Sequence, residues 1–119
     1  MATFTKGILS GSDEGQAFGL STGGHETVHT GPTTATSYDE VWMYVSNAYT
    51  ADEELYVGWG GNGGNMGNMM RFTVPTKAGY YLVVPGLILK GNASPLIVTG
   101  YAATSNRLNL VGYVNHITA

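Results

Sequence analysis

The stretch Tyr38-Asp39-Glu40-Val41-Trp42-Met43-Tyr44-Val45-Ser46-Asn47-Ala48 decides the fold class. Val41, Met43 and Val45 recur at every second position, with Trp42 and Tyr44 between them. That period of two is the pattern of a β-strand with two distinct faces. A helix would need apolar residues spaced by three and four.

The same alternation continues on both sides of this segment. After a polar turn over Asn47 to Asp52, the run Glu54 to Trp59 places Leu55, Val57 and Trp59 on one side. Two strong strands joined by so short a turn read as an antiparallel pair. Met69 to Val74 resumes, with Met70, Phe72 and Val74 inward and Arg71 and Thr73 outward. Tyr80 to Val84 is apolar on both faces and reads as a strand covered on both sides. Pro85-Gly86 is expected to break it before Leu87-Ile88-Leu89. Pro95 to Ala103 forms another strand, with Pro95 at its start, where a missing N–H is tolerated. Leu108, Leu110, Gly112 and Val114 line one face of the last strand. Upstream, Thr3 to Leu9 is a short strand, and Gln16 to Ser21 and Glu26 to Thr30 are weaker ones.

The 119 residues make a single domain, 1–119. About eight strands without room for a helix fit an all-β, antiparallel two-sheet sandwich. A jelly-roll-like topology leads. An immunoglobulin-like sandwich comes second, because its Cys–Trp–Cys signature is missing.

Composition narrows the function classes. Only 11% of residues are charged, against about 25% in a typical domain. The five basic residues, Lys6, Arg71, Lys77, Lys90 and Arg107, are scattered, and the net charge is −3. No basic stripe could follow a row of phosphates, so no nucleic-acid partner is expected. With no cysteine there is neither a disulfide framework nor a thiolate metal site. The N-terminal segment lacks the apolar core of a signal peptide, and no run approaches the ~20 residues of a membrane span.

Two motifs match patterns of known chemistry and lack the context that chemistry needs. His25-Glu26-Thr27-Val28-His29 spells the H-E-x-x-H of zinc proteases, which must lie on a helix. Here it follows Gly23-Gly24, holds two β-branched residues and precedes Gly31-Pro32. On a strand its two histidines would stand about 13 Å apart, at ~3.3 Å per residue. Only His116 is left as a third histidine. Gly58-Trp59-Gly60-Gly61-Asn62-Gly63 matches G-x-G-x-x-G, yet Gly64-Asn65-Met66-Gly67 cannot open a helix for a dinucleotide. The acidic groups Asp13-Glu14, Asp39-Glu40 and Asp52-Glu53-Glu54 sit at turns or strand entries and read as solvated carboxylates. No EF-hand spacing is present, although such loops can bind calcium. Serines are plentiful, but none is tied by sequence to a histidine and an acid. The expectation is a protein without catalysis, cofactor or metal.

Eight tyrosines and two tryptophans are many for this length. Trp42, Tyr44, Tyr56, Tyr81, Tyr101 and Tyr113 lie opposite the faces assigned to the core. They are the candidate interface, since Tyr and Trp are enriched where proteins meet partners or sugars.

Several segments carry a resemblance. They are the opening Ala2-Thr3-Phe4-Thr5-Lys6-Gly7-Ile8-Leu9-Ser10-Gly11-Ser12, the central Asp39-Glu40-Val41-Trp42-Met43-Tyr44-Val45, and Val57-Gly58-Trp59-Gly60-Gly61. The block Leu82 to Asn92 and the ending Val111-Gly112-Tyr113-Val114-Asn115 complete it. Together they resemble small β-sandwich virion proteins of tailed bacteriophages. That resemblance implies a capsid decoration or cement protein, homotrimeric, bound to the major capsid protein on the outer head surface. It carries no catalytic residues. The alternative expectation is a tail or head-fibre module binding host-surface glycans.

Overall fold

The computed structural model describes residues 2–12, 14–20, 26–60, 68–76 and 79–118. Among these the chain forms β1 (Thr3–Ile8), β2 (Phe18–Gly19), β3 (Glu26–Thr30), β4 (Ser37–Asn47), β5 (Glu53–Trp59), β6 (Met69–Val74), β7 (Tyr80–Lys90), β8 (Ile97–Ala102) and β9 (Leu108–Thr118). They build two antiparallel sheets. The five-stranded sheet runs β1-β9-β4-β7, with the short β2 pairing β9. The four-stranded sheet runs β3-β8-β5-β6.

The topology is a folded hairpin. Thr3 pairs with Thr118, Glu26 with Gly100, Tyr38 with Lys90 and Glu53 with Val74. Each pair nests inside the previous one, around the Gly/Asn-rich segment after Trp59. Successive pairs, β1–β9, β3–β8, β4–β7 and β5–β6, fall alternately in the two sheets. This alternation is what rolling one long hairpin produces, and it makes the sandwich a jelly roll rather than an immunoglobulin-like one.

The core lies between the sheets. Along β4 burial alternates at every residue, with Val41, Met43 and Val45 fully buried. They meet Leu55 and Val57 of β5, Val98 of β8 and Leu108 and Leu110 of β9. Leu9, Leu20 and Val28 complete the packing toward the β1–β3 side. Burying each such side chain contributes roughly 1.5–3 kcal/mol.

Three expectations change. First, β4 and β5 are not partners. β4 lies between β9 and β7, and β5 between β8 and β6. The turn between them crosses from one sheet to the other, and each strand presents its buried side to the core from opposite walls. Second, Pro85-Gly86 does not end a strand. β7 runs unbroken for 11 residues. Register shifts opposite Val41/Trp42 and Met43/Tyr44 absorb the mismatch, and Gly86 takes a φ of 73° there. Third, Tyr80 to Val84 is not covered on both sides. β7 is an edge strand, and Tyr80 and Leu82 are 70% and 44% exposed.

Candidate interaction face

The outer surface of the five-stranded sheet is built from the alternate residues that the core leaves over. On β4 these are Tyr38, Glu40, Trp42 and Tyr44, directly opposite Ile117, Asn115, Tyr113 and Val111 of β9. Phe4, Lys6 and Ile8 of β1 extend the same face, since they pair with Ile117, Asn115 and Tyr113. Leu82 and Ile88 of β7 extend it on the other side. Lys6, Glu40 and Lys90 are the charged residues of this face.

Its centre is a row of stacked groups crossing four strands. Trp42 and Tyr113 stack with centroids 6.1 Å apart and planes 10° from parallel. The Lys6 ammonium covers Tyr113 at 4.8 Å from its centroid. On the far side Trp42 lies against Gly86, where a Cβ would come within 2.7 Å of the indole. Glu40 anchors the row. Its Oε1 accepts from the Trp42 indole N–H at 2.8 Å and from the Asn115 amide at 2.9 Å. These donors, Asn115 foremost, hold the Glu40 carboxyl below its ordinary range. Tyr44 meets Tyr80 edge to face at 5.4 Å.

The opposite sheet carries a second stack of the same design. Tyr56 and Tyr101 stack at 4.5 Å and 4°, and the Arg71 guanidinium covers the other side of Tyr56 at 4.9 Å. The Tyr56 hydroxyl donates to Glu54 at 2.7 Å, and Arg71 pairs with the same oxygen at 2.7 Å. The Glu54 carboxyl is held low by that hydroxyl and then by Arg71, and the Tyr56 phenol is pushed up by Glu54.

The six aromatics expected at one interface therefore divide three ways. Trp42, Tyr44 and Tyr113 share the outer face of the five-stranded sheet. Tyr56 and Tyr101 lie on the outer face of the other sheet. Tyr81 pairs with Val45 and packs against the core. Its position in β7 shifts to the inner face because of the register change at Met43/Tyr44. Tyr113 is flanked by Trp42 and Lys6, and Tyr56 by Tyr101 and Arg71, all from the same chain.

One polar cluster was not foreseen. Asp39, expected to be solvated, is 5% exposed. Its Oδ2 lies 2.7 Å from His29 Nε2, and its Oδ1 lies 2.6 Å from His116 Nδ1. His29 Nδ1 accepts the Ser10 backbone N–H at 3.1 Å, which places the ring proton on Nε2, where it donates to Asp39. The cluster joins β3 of one sheet to β4 and β9 of the other. The loop after β1 closes over it, with Ser10 Oγ accepting from the Thr30 N–H and the Gly11 N–H donating to the Val28 carbonyl. The sequence did hold the signal. Asp39 is two residues before Val41, so the period of two puts it on the inner face.

Glu53 departs from expectation in the same way. It is 6% exposed and pairs with Arg107 at 3.7 Å. His29 lies on strand β3, and His25 lies outside the described residues. Among the described residues no group of three or more histidine or carboxylate side chains could hold a metal ion, and no pocket opens. Comparison of the chain with models of protein families, with curated proteins and with solved structures finds no match.

Proposed function

We propose that this jelly-roll domain is a structural component of a tailed-phage virion, a capsid decoration or cement protein that assembles as a homotrimer on the outer head surface. The observation that carries the assembly part is the outer face of the five-stranded sheet. It is broad, apolar or aromatic at most positions, and bears few charges, as subunit interfaces are. The virion part rests on the resemblance of the strand and turn segments. In such a role the mechanism is burial. Each contact removes on the order of 1,200–2,000 Å² from water, and many copies acting in parallel hold a shell against internal pressure.

The test is recovery with particles. The protein is expected to co-purify with intact virions through a density gradient at fixed stoichiometry, and to rebind shells stripped of it. Particles that lack it, or shells that do not rebind it, refute the virion role.

A further inference from the structure

The exposed apolar side chains of the five-stranded sheet are not spread over its face. They gather at its two edges. On β1, Phe4 and Ile8 are 70% and 47% exposed. On β7, Tyr80, Leu82 and Ile88 are 70%, 44% and 49% exposed. Between them Trp42 and Tyr113 are partly covered by each other, by Lys6 and by Gly86. A dimer packed face to face would be expected to hold its most exposed anchors at the centre of the patch. This sheet has them at the rims.

We infer that a second copy of this chain docks edge to edge, the β1 rim of one copy (Phe4, Ile8) packing against the β7 rim of the next (Tyr80, Leu82, Ile88), in a head-to-tail ring. The inference deepens the assembly reading above and does not depend on the virion reading. Two different patches on opposite edges of one protomer satisfy each other in a heterologous contact, which closes into a ring when the rotation allows. Five side chains of about 200 Å² each, roughly half exposed, present on the order of 500 Å² of apolar surface per contact, so the polar neighbours along both edges must supply the larger part of the ~1,200 Å² that the smallest standard interfaces bury.

The edges favour side-chain docking over strand addition. Pro85 has no N–H to offer, and the register shifts around it break the regular ladder of β7. A β7 of regular register would invite an open, growing sheet. The bulged one favours a contact of limited size.

The chain has no cysteine, so introduced thiols report cleanly. Phe4 and Leu82 lie on opposite edges of the same sheet, three strand spacings or about 14 Å across it, and Phe4 is level with Tyr38 while Leu82 is level with Tyr44, a further ~20 Å along the strands, too far for a disulfide within one copy. The double variant F4C/L82C is expected to give covalent oligomers closing at one size on mild oxidation, whereas F4C alone and L82C alone stay single chains. Leu82→Lys is expected to lower the mass by light scattering to that of one 12.5 kDa chain, with an unchanged circular dichroism spectrum. Dimers from either single cysteine variant would overturn the head-to-tail contact in favour of a like-to-like one. A wild-type chain that stays monomeric throughout a concentration series would overturn self-association altogether. A monomer that still rebinds stripped shells would leave the virion role standing, so the two readings fail separately.

Discussion

At His29 the two ring nitrogens do different work. Nδ1 accepts a backbone N–H from the loop after β1, and Nε2 donates to a carboxylate on the facing sheet. Asp39 then binds His116 with its second oxygen. Removing the carboxylate leaves a buried N–H of His29 without an acceptor, and hydrogen bonds to charged groups contribute more than neutral ones. Asp39→Ala is expected to cost about 2–4 kcal/mol in urea unfolding. Asp39→Ala combined with His29→Ala should cost clearly less than the two single losses added, because each single variant strands the other partner. Additive losses would show that the bridge contributes nothing of its own.

The two outward carboxylates contribute to the acid side of stability. Glu40 and Glu54 are both held below the ordinary value of 4.5, by Asn115 and Trp42 in one case and by the Tyr56 hydroxyl and Arg71 in the other. A carboxyl with a lowered folded-state value stabilises the fold above its unfolded value, and that contribution is lost as pH falls through the folded one. Urea midpoints are expected to fall on acidification below about pH 4.5. The double variant Glu40→Gln/Glu54→Gln should show a shallower fall. Equal slopes would mean that other groups set the acid limit.

At the scale of elements, what the sequence reveals and what it hides follow one physical line. Strand β4 was legible because its alternation is enforced by the core, and the observed burial repeats it residue for residue. The two-sheet architecture was legible for the same reason. Strand pairing was not, because the β4–β5 turn is equally short whether it closes a hairpin or crosses the sandwich. β7 misled for a different reason. Pro85-Gly86 is a turn signal locally, but nine paired positions of β4 and the indole of Trp42 hold the segment extended. Gly86 is required twice, by its left-handed φ and by the ring lying on it. Gly86→Ala is therefore expected to destabilise by about 1–3 kcal/mol and to shift the Trp42 fluorescence, since the ring must move. A variant as stable as the wild type with an unchanged spectrum would refute this account of β7. The aromatics divided between faces for a related reason. Alternation assigns a side within one strand but not which sheet that side belongs to, and the bulge turned Tyr81 inward.

Over the whole molecule the nested hairpin imposes an order on folding. The β5–β6 pair closes the shortest loop, and the β1–β9 pair joins residues near the two ends of the chain. Loop closure costs entropy before long-range contacts return anything, so a fold of this kind is expected to be slow, with its inner pairs formed early and its outer pair late. Leu55 of β5 and Leu9, just past β1, are both fully buried, and truncating either to alanine should cost about 2–5 kcal/mol. The kinetics should separate them. Leu55→Ala is expected to slow folding, because its contacts with β6 belong to the transition state. Leu9→Ala should leave the folding rate nearly unchanged and speed unfolding. Chevron plots of the two variants decide the matter. If Leu9→Ala slowed folding as much as Leu55→Ala, the outer strands would be part of the nucleus. The roll would then form by collapse of the ends rather than by zipping outward from the inner hairpin.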